Sequence, residues 1–282
     1  MPRARVLSLV GLAMVAFAGN SLLCRMALTA TSIDAASFTT IRMVSGALTL
    51  WCIVRARSGA VEGKGSWPSA LALFAYAAAF SFAYLTLTAA TGALLLFGAV
   101  QATMIAWGLR SGDRFGPWQI AGLACAVAGL VGLLLPGLSA PPLVGAALML
   151  SAGVAWGIYS LRGRGAGDPT RVTAGNFMRA AAFSGALSLA MLPAVSIDAA
   201  GALYAIASGA LASGVGYVIW YSALKHLSAS VAATVQLSVP AIAAAGGVLL
   251  LGEELTVRLV LASAAILGGI ALVILKGPRR RP

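Results

Sequence analysis

GDRFGPWQIAGLACAVAG (residues 112–129) returns 140 residues later as GEELTVRLVLASAAILGG (residues 252–269). Each copy begins with a glycine and an acidic residue and continues into an apolar run rich in alanine and glycine. A stretch that recurs at one fixed offset is the mark of an internal duplication. The sequence therefore predicts two homologous halves, residues 1–140 and residues 141–282.

The composition indicates what both halves are made of. Apolar residues make up 60% of the chain and charged residues 9%, whereas a soluble domain needs roughly a quarter of its residues charged. Crossing about 30 Å of hydrocarbon takes roughly 20 residues of helix, and membrane strands would instead alternate in polarity over about ten residues. The apolar runs here are long and do not alternate, which favours helices. Charges and Pro/Gly clusters divide the chain into ten such segments: 6–27, 34–54, 68–90, 92–109, 116–135, 142–161, 172–193, 200–223, 229–251 and 257–275.

Five segments fall in each half, and because five is odd the second half starts from the opposite side of the membrane. The loop charges agree with this inversion. The loop before the last segment is basic in the first half, with Arg110 and Arg114, and acidic in the second half, with Glu253 and Glu254. We therefore predict an all-α membrane protein whose ten transmembrane helices form two inverted five-helix repeats. Many secondary transporters have this architecture, with the binding site near mid-membrane between the halves. The alternative is a duplication without any transport function.

Orientation is predicted from the basic residues, most of which lie near the two ends and in one set of alternate loops. The acidic residues Asp34, Asp198, Glu253 and Glu254 fall on the other side. Because cytoplasmic loops are rich in lysine and arginine, we expect a multi-pass protein of a bacterial inner membrane with both termini in the cytoplasm. The basic residues of the predicted cytoplasmic side are Arg3, Arg5, Arg55, Arg57, Lys64, Arg110, Arg114, Arg162, Arg164, Arg171, Lys225, Lys276, Arg279, Arg280 and Arg281.

The two ends of the chain carry their own signals. The first apolar stretch follows Arg3 and Arg5 as in a signal peptide, but it continues to about Leu28 and is long enough to span. We interpret it as an uncleaved first helix. The basic tail of residues 276–282 is expected to touch anionic lipid head groups.

Several short motifs recur along the chain in a regular order: Gly252-Glu253 before the last segment, Pro240 upstream of it, Ala155-Trp156-Gly157, and the matched pair Arg42 and Arg179. Their order and spacing resemble the drug/metabolite transporter superfamily of EamA type. This resemblance implies the five-plus-five helical fold and a transport function, and the short loops and aromatic third segment are most similar to amino-acid exporters of the YddG kind. Departures in the first half, such as Val100 where the family commonly has proline, leave the substrate open.

Aromatic and polar side chains recur at helical spacing inside the apolar segments. Tyr76, Phe80 and Tyr84, for example, follow one another at intervals of four residues and share a helix face. If such faces converge, they line an aromatic cavity with a few hydrogen-bonding groups, which suits an amphipathic solute. The alternative is that they only pack helices together. The candidate substrate-binding residues are Asn20, Tyr76, Phe80, Tyr84, Gln101, Met104, Trp156, Tyr159, Tyr217, Tyr221, Gln236 and Ser238.

Three further residues are candidates for structural or gating roles. Arg42 lies eight residues past Asp34, about 12 Å along a helix, and Arg179 lies about as deep from the other side. A guanidinium in hydrocarbon is costly unless it is paired or wetted, so these arginines either meet substrate carboxylates or bind helix-end carbonyls and reach for water. Pro240 falls in mid-segment and frees a carbonyl near Gln236, which makes either a static kink or a hinge.

Other classes of protein find little support. With His226 as its single histidine the chain lacks the nitrogen ligands of a metalloenzyme, and it has no phosphate-binding Gly-x-x-x-x-Gly-Lys loop for ATP. Cys24, Cys52 and Cys125 form no Cys-x-x-Cys pair and are interpreted as small apolar residues. The net charge of +12 is spread over loops, which argues against nucleic-acid binding. We expect no enzyme activity, cofactor or metal, and as partners a small-molecule substrate, membrane lipid and at most a second copy in a homodimer.

The function expected from these observations is secondary transport. The solute is expected to be a small organic molecule, such as an aromatic or other neutral amino acid, carried outward by alternating access. The alternatives are a channel-like facilitator and a carrier of drugs or nucleotide sugars. Proton-coupled carriers commonly keep a carboxylate inside the membrane, but all seven acidic residues here lie near segment ends. We therefore hypothesise that the protein carries out facilitated flux or exchange of its solute and does not use a buried carboxylate as a proton switch.

Overall fold

The computed structural model describes residues 3–57, 63–112, 115–137, 140–163, 167–224, 226–227 and 229–276. These ranges are helical and contain no strand. Their helices are α1 (Arg3–Ala30), α2 (Ala35–Ala56), α3 (Trp67–Ala83), α4 (Ala89–Arg110), α5 (Pro117–Leu134), α6 (Leu143–Arg162), α7 (Pro169–Ala190), α8 (Ala199–Leu224), α9 (Ala229–Gln236 and Ser238–Leu251) and α10 (Val257–Lys276).

Most of these helices can cross a bilayer. Over the described ranges, eight are long and apolar enough to do so. The other two are α3, which has 17 residues, and α7, which carries Asn176 and Arg179 among its 22. Large apolar side chains cover the outside of the bundle, and Leu249 is 81% exposed, as expected where the surrounding solvent is lipid. The chain is an all-helical integral membrane protein.

Short polar side chains fix where several helices begin, because the first N–H groups of a helix have no partner within it. Asp34 accepts two backbone N–H groups at the start of α2, and Thr88 accepts one at the start of α4. Asp168 does the same for α7, with Pro169 at the first helical position. The seventh helix consequently begins at Pro169 rather than at the predicted residue 172.

The third helix ends earlier than the sequence predicted. The predicted segment was 68–90, but α3 stops at Ala83, and residues 84–88 form the turn that leads into α4. A second cap explains the difference: Oε2 of Glu253 lies 2.8 Å from the N–H of Ala89 and accepts its hydrogen bond. Because Glu253 comes from the loop between α9 and α10, the start of α4 depends on a contact that the local sequence does not encode.

The two helices that carry the repeated stretch lie side by side. Gln119, near the start of α5, donates a 3.3 Å hydrogen bond to the carbonyl of Val273, near the end of α10. Further along α5, Cys125 lies 3.6 Å from the carbonyl of Ala265, earlier in α10. The two helices therefore run antiparallel. Glycines allow their backbones to approach closely, since a Cβ on Gly122 would lie 2.6 Å from the carbonyl oxygen of Gly269.

A second pair of corresponding helices, α2 and α7, has the same relationship. Near the start of α2, Thr40 donates a 2.8 Å hydrogen bond to the carbonyl of Ser184, near the end of α7. Arg57, which follows the end of α2, donates to Thr170 at the start of α7 at 2.9 Å. These two helices also run antiparallel, and they pack along most of their length.

The helices cross the bundle alternately, so that its two ends can be named by their contacts. We call the end at which α1 begins and α10 finishes the terminal face, and the opposite end the distal face. At the terminal face Arg57 contacts Thr170. At the distal face the backbone N–H of Asp34 donates to the carbonyl of Ser196 at 2.9 Å.

Some of the charged residues that predict the membrane orientation lie outside the described residues. The basic tail beyond Lys276 and the side chain of Lys276 lie outside the described residues. The charged loop residues outside the described ranges are Glu62, Asp113, Arg114, Arg164, Lys225, Arg279, Arg280 and Arg281.

Two helices depart from regular α geometry. In α8, residues Ala207–Val215 form a π-helical segment, in which each turn holds an extra residue. In α9 the helix is interrupted at Leu237, three residues before the buried Pro240. The side chains of Gln236 and Ser238 donate to carbonyls of the preceding turn there, Gln236 to Ala232 at 3.1 Å and Ser238 to Val235 at 2.6 Å.

Candidate functional site

A small cavity lies at the centre of the bundle, where five helices meet at about half their length. It offers about 20 Å³ of water-sized space, which is room for a single water molecule. Helices from the first five and from the last five both contribute to its wall. The lining residues are Phe17 and Asn20 from α1, Tyr76 and Phe80 from α3, Leu96 and Phe97 from α4, Trp156 from α6, and Ala212 and Tyr217 from α8.

Aromatic rings in mutual contact form most of this wall. Trp156 lies between two tyrosines, with ring centroids 4.8 Å from Tyr76 and 5.2 Å from Tyr217. Phe80 continues the row on α3 at 5.4 Å from Tyr76, and Phe17 meets Tyr217 edge-on at 5.9 Å. Tilted and edge-to-face pairs of this kind are favourable beyond the area that they bury. The rings therefore hold a closed arrangement that links α1, α3, α6 and α8.

One hydrogen-bonded chain supplies the polar part of the wall. Ser208 of α8 donates to the side-chain oxygen of Asn20 at 2.6 Å, and the amide nitrogen of Asn20 donates to the hydroxyl of Tyr76 at 3.2 Å. That hydroxyl also accepts a 3.0 Å hydrogen bond from Nη2 of Arg42. The chain of contacts satisfies a buried amide at membrane depth, as the absence of water there requires.

Arg42 lies behind the aromatic wall and is fully buried. Its guanidinium carbon is 5.2 Å from the ring centroid of Tyr76 and 5.0 Å from that of Phe80, a cation–π geometry. Two of its nitrogens, Nε and Nη1, have no hydrogen-bond partner among the described residues. Arg42 thus borders the cavity through the two side chains that form its wall.

The π-helical segment of α8 brings this helix close to α2. A Cβ on Gly209 would collide with the side chain of Ser45 and with the backbone carbonyl of Arg42. The extra residue of a π turn shifts the side chains that follow, and such turns are frequent at functional sites. Here the segment carries both Ser208, which binds Asn20, and Ala212, which lines the cavity.

The structure brings together five of the predicted substrate-binding residues. Asn20, Tyr76, Phe80, Trp156 and Tyr217 all line the central cavity. They come from α1, α3, α6 and α8, so the faces that the sequence selected on these four helices meet at one cavity. Their role in binding stays a prediction.

The other seven candidates lie outside the lining of this cavity, where the structure gives most of them contacts of their own. Gln101 donates to the backbone of Ala233 at 3.4 Å, and Tyr159 accepts from Asn176 at 3.5 Å. Gln236 and Ser238 bind carbonyls at the interruption of α9, which is why they do not point inward. The hydroxyl of Tyr84 donates to the carbonyl of Ala89, the first residue of α4, at 3.4 Å. Met104 and Tyr221 are half-buried away from the cavity.

Sequence reasoning did not select four residues of the wall. Phe17 lies three residues before Asn20 on the same helix face, and Phe97 lies four before Gln101, so helical spacing could have indicated both. Leu96 and Ala212 carry no such signal, because a leucine or an alanine is equally common at any lipid-facing or packed position of a membrane helix.

The distal face is closed by an ion pair between helices far apart in sequence. Nε of Arg25, on α1, lies 3.3 Å from Oε1 of Glu253, in the loop between α9 and α10. Nη1 of the same arginine donates to the carbonyl of Tyr84 at 2.8 Å. Because Glu253 also caps Ala89, this contact joins α1, α3 and α4 to the last two helices.

The terminal face is closed by contacts among α2, α3, α6 and α7. Arg162 of α6 donates to Ser69 of α3 at 3.2 Å. Arg179 donates to the backbone carbonyls of Lys64 and Gly175 at 2.7 and 2.8 Å. Arg179 thus binds backbone carbonyls, one in the loop before α3 and one within its own helix, and its surroundings differ from those of Arg42.

The described residues bring aromatic and hydrogen-bonding groups to this site. Among the described residues no three histidine, cysteine or carboxylate side chains lie close enough to hold a metal ion. The described acidic residues lie at helix starts or in loops, with Asp34 at the start of α2 and Glu253 in the turn before α10. The cavity can offer aromatic faces and hydrogen-bond donors to a small solute.

Comparisons with known proteins agree with this architecture. The uncharacterized protein PA1977 of Pseudomonas aeruginosa is 58% identical over 275 residues, which cover 97% of this chain and 96% of that one. The threonine/homoserine exporter RhtA of Salmonella typhimurium is 32% identical over 150 residues, 49% of this chain and 48% of the exporter. A solved crystal structure superposes with a TM-score of 0.69 at 20% identity, covering 97% of this chain and 98% of that one, which shows likeness of fold.

A family model also matches this chain. The model described as the EamA-like transporter family matches residues 143–275, which run from α6 through α10. These helices provide Trp156 and Tyr217 to the cavity and Glu253 to the distal ion pair. The chain belongs to the EamA-like transporter family.

Proposed function

We propose that this membrane transporter is a secondary carrier that moves a small organic solute, a neutral amino acid in particular, outward across a bacterial inner membrane by alternating access. The observation that carries the proposal is the central cavity, which has aromatic walls and a polar side and receives side chains from both the first five and the last five helices. Rocking of the two groups of helices about such a site would expose it to one face at a time.

Two inverted five-helix repeats are part of this proposal. The antiparallel pairing of α5 with α10 and of α2 with α7 supports it, because corresponding helices of two inverted units must run in opposite directions. The basic residues near both chain ends support cytoplasmic termini. The hydrogen bonds at the terminal face and the Arg25–Glu253 ion pair at the distal face are consistent with a state closed on both sides.

The chemistry of the cavity supports an amphipathic solute. Ring faces of Tyr76, Trp156 and Tyr217 accommodate an apolar side chain, while Asn20 and the Tyr76 hydroxyl offer hydrogen bonds. The relative RhtA is named as an exporter of threonine and homoserine, which supports amino acids and the outward direction. In the sequence every acidic residue lies near the end of an apolar segment, which supports exchange or facilitated flux without a buried carboxylate as proton switch.

Counterflow in proteoliposomes tests the proposal. Vesicles are loaded with an unlabelled neutral amino acid, such as threonine, methionine or phenylalanine, and uptake of the labelled compound is followed. We expect a transient, saturable accumulation, which a channel does not produce. Trp156→Ala, which removes the ring between two tyrosines, should lower the initial rate at least about tenfold, since removing one buried aromatic contact costs on the order of 3 kcal/mol.

The matched control is Trp118→Ala, because Trp118 is 66% exposed on α5 and lies outside the cavity. This variant should keep the counterflow of the native protein. Flux that never saturates would favour a channel, and absence of counterflow for every amino acid of the panel would refute the proposed substrate class.

A further inference from the structure

Arg42 is a cation that has no counter-ion among the described residues. Its side chain is fully buried, eight residues into α2 from Asp34. A charge taken out of water is stable only when an opposite charge or hydrogen bonds replace its hydration. All seven acidic residues lie near the ends of apolar segments, and among the described residues the guanidinium binds Tyr76 while Nε and Nη1 have no partner.

The groups around Arg42 are donors. Tyr76 accepts hydrogen bonds from both Arg42 and Asn20, so its own hydroxyl hydrogen remains to be donated. The side-chain oxygen of Asn20 already accepts from Ser208. Three N–H groups on two arginine nitrogens and one O–H group therefore lie beside the cavity with no acceptor among the described residues. This set of groups fits an anion with several acceptor sites.

The arginines elsewhere in the membrane region show that this arrangement is not imposed by the fold. Arg179 occupies the corresponding place in the second half and binds two backbone carbonyls. Arg25 pairs with Glu253 and with a carbonyl of the α3–α4 turn. Arg42 alone of these three keeps two nitrogens unpaired, although it lies closest to the cavity wall.

We propose that Arg42, together with the Tyr76 hydroxyl, binds the carboxylate of the transported solute. The proposal rests on the proposed transport function and deepens it, because it makes a carboxylate a requirement for binding. Tyr76 and Phe80 separate the guanidinium from the cavity by one layer of side chain. A shift of the Phe80 ring would open that layer, and the carboxylate would then replace the missing counter-ion while the apolar part of the solute stays against Trp156 and Tyr217.

The test is ligand-dependent thermal unfolding of the purified full chain in detergent, since a ligand that binds the folded state raises the unfolding temperature. The probes are phenylalanine, methionine and threonine, each compared with its carboxamide and with its decarboxylated amine. Chloride and acetate at equal concentration separate an inorganic anion from a carboxylate. We expect stabilisation by at least one amino acid, and none by its amide, its amine or chloride.

Arg42→Gln should weaken the apparent affinity for that amino acid at least about 30-fold, as expected when one partner of a buried charged pair is removed. Without ligand the same variant should unfold at the native temperature or above, because it removes an unpaired buried charge. Tyr76→Phe keeps the ring and should lower the apparent affinity for the amino acid without changing the stabilisation by its carboxamide. Arg258→Gln, at an exposed contact to Leu135, serves as the control that keeps both affinities.

Several outcomes would overturn the proposal: no Arg42-dependent stabilisation by any carboxylate of the panel, equal stabilisation by an acid and its amide, equal stabilisation by chloride, or unchanged binding in Arg42→Gln. These outcomes are separable from failure of the transport function. Counterflow of amines or amides would leave the carrier in place and remove the carboxylate requirement. Arg42-dependent binding of a carboxylate without any counterflow would support the carboxylate site and refute the carrier function.

Discussion

At the scale of single residues, Asp34 joins two loops of the distal face. Its carboxylate accepts the N–H groups of Ala36 and Ser37 at 2.9 Å each, and that of Ser196 at 3.0 Å. Burial by itself would raise the pKa of this group, but the hydrogen bonds from Ser37, Ser196 and Ala36 outweigh it, so the pKa lies below its ordinary value. The carboxylate form is thus the one that the folded protein stabilises.

This shift predicts a loss of stability in acid. A lowered pKa contributes stability that is complete above the ordinary value, about 4 for an aspartate, and that disappears as the pH falls through the folded-state value. The unfolding temperature of the native protein should exceed that of Asp34→Asn at neutral pH, and the difference should shrink as the pH is lowered below about 4. A difference that stays constant or grows in acid would contradict the prediction.

The sequence could indicate which residues face the interior but not which of them meet. Tyr76, Phe80 and Tyr84 share one face by spacing, yet only the first two line the cavity, because α3 ends at Ala83 and leaves Tyr84 beyond it. In a bundle nearly every inward face is buried against something. Helical periodicity therefore separates interior from lipid-facing positions, while the neighbours of each residue depend on how the other helices pack.

At the scale of elements, the close contact between α2 and α8 depends on Gly209. Gly209→Ala places a methyl group against Ser45 and against the carbonyl of Arg42, and backbone cannot yield as a flexible side chain can. Overpacking of this kind costs about 1–3 kcal/mol, so we expect a lower unfolding temperature and slower counterflow.

Gly185→Ala on α7 is the matched control for Gly209→Ala. A Cβ on Gly185 would meet nothing within 4 Å, and alanine favours a helix over glycine by up to about 1 kcal/mol. The control should therefore be neutral or slightly stabilising. Equal unfolding temperatures for the two variants would show that the α2–α8 contact accommodates a methyl group at position 209, and would contradict the prediction.

The number of helices could be predicted because runs of about 20 apolar residues separated by charges are a local signal. Details within a helix could not be. The π-helical segment of α8 has no distinctive sequence apart from its small residues, and the start of α4 depends on Glu253, whose cap of Ala89 is a long-range contact. Pro240 indicated a disturbance of α9, since proline leaves a carbonyl unpaired one turn earlier.

At the scale of the whole molecule, the Arg25–Glu253 pair links the first helix to the last two and closes the distal face. Glu253→Gln keeps the shape of the side chain and removes its charge. If this weakens closure by about 1 kcal/mol, the open population rises about fivefold. Cys24, which is buried on α1 beside Arg25, should then react about fivefold faster with a membrane-impermeant thiol reagent.

The measurement needs a background in which the exposed cysteines Cys52 and Cys125 are replaced by alanine. Glu254→Gln is the control, because Glu254 is exposed and forms no ion pair with Arg25 within the described residues. Identical reaction rates of Cys24 in the native, Glu253→Gln and Glu254→Gln proteins would refute a role of the pair in closure.

Of the global architecture, the sequence indicated the duplication and, from the odd number of segments, the opposed directions of its two parts. That arrangement remains a prediction, which the antiparallel course of α5 beside α10 supports. What no repeat can indicate is how its copies diverge. Arg42 and Arg179 correspond in sequence. Within the described part of the chain, Arg42 is buried with two unpaired nitrogens, whereas Arg179 binds carbonyls near the terminal face, because their surroundings come from non-equivalent neighbours.

The tight fit of rings around the central cavity has a consequence for the electrical insulation of the membrane. Protons and small ions cross a bilayer readily only along an unbroken file of water, and about 20 Å³ of space admits one molecule rather than a file. A cavity of this size offers ions no continuous file of water at the centre of the bundle. We therefore expect the purified protein to add little conductance to a bilayer, so that many copies can be present without lowering the membrane voltage.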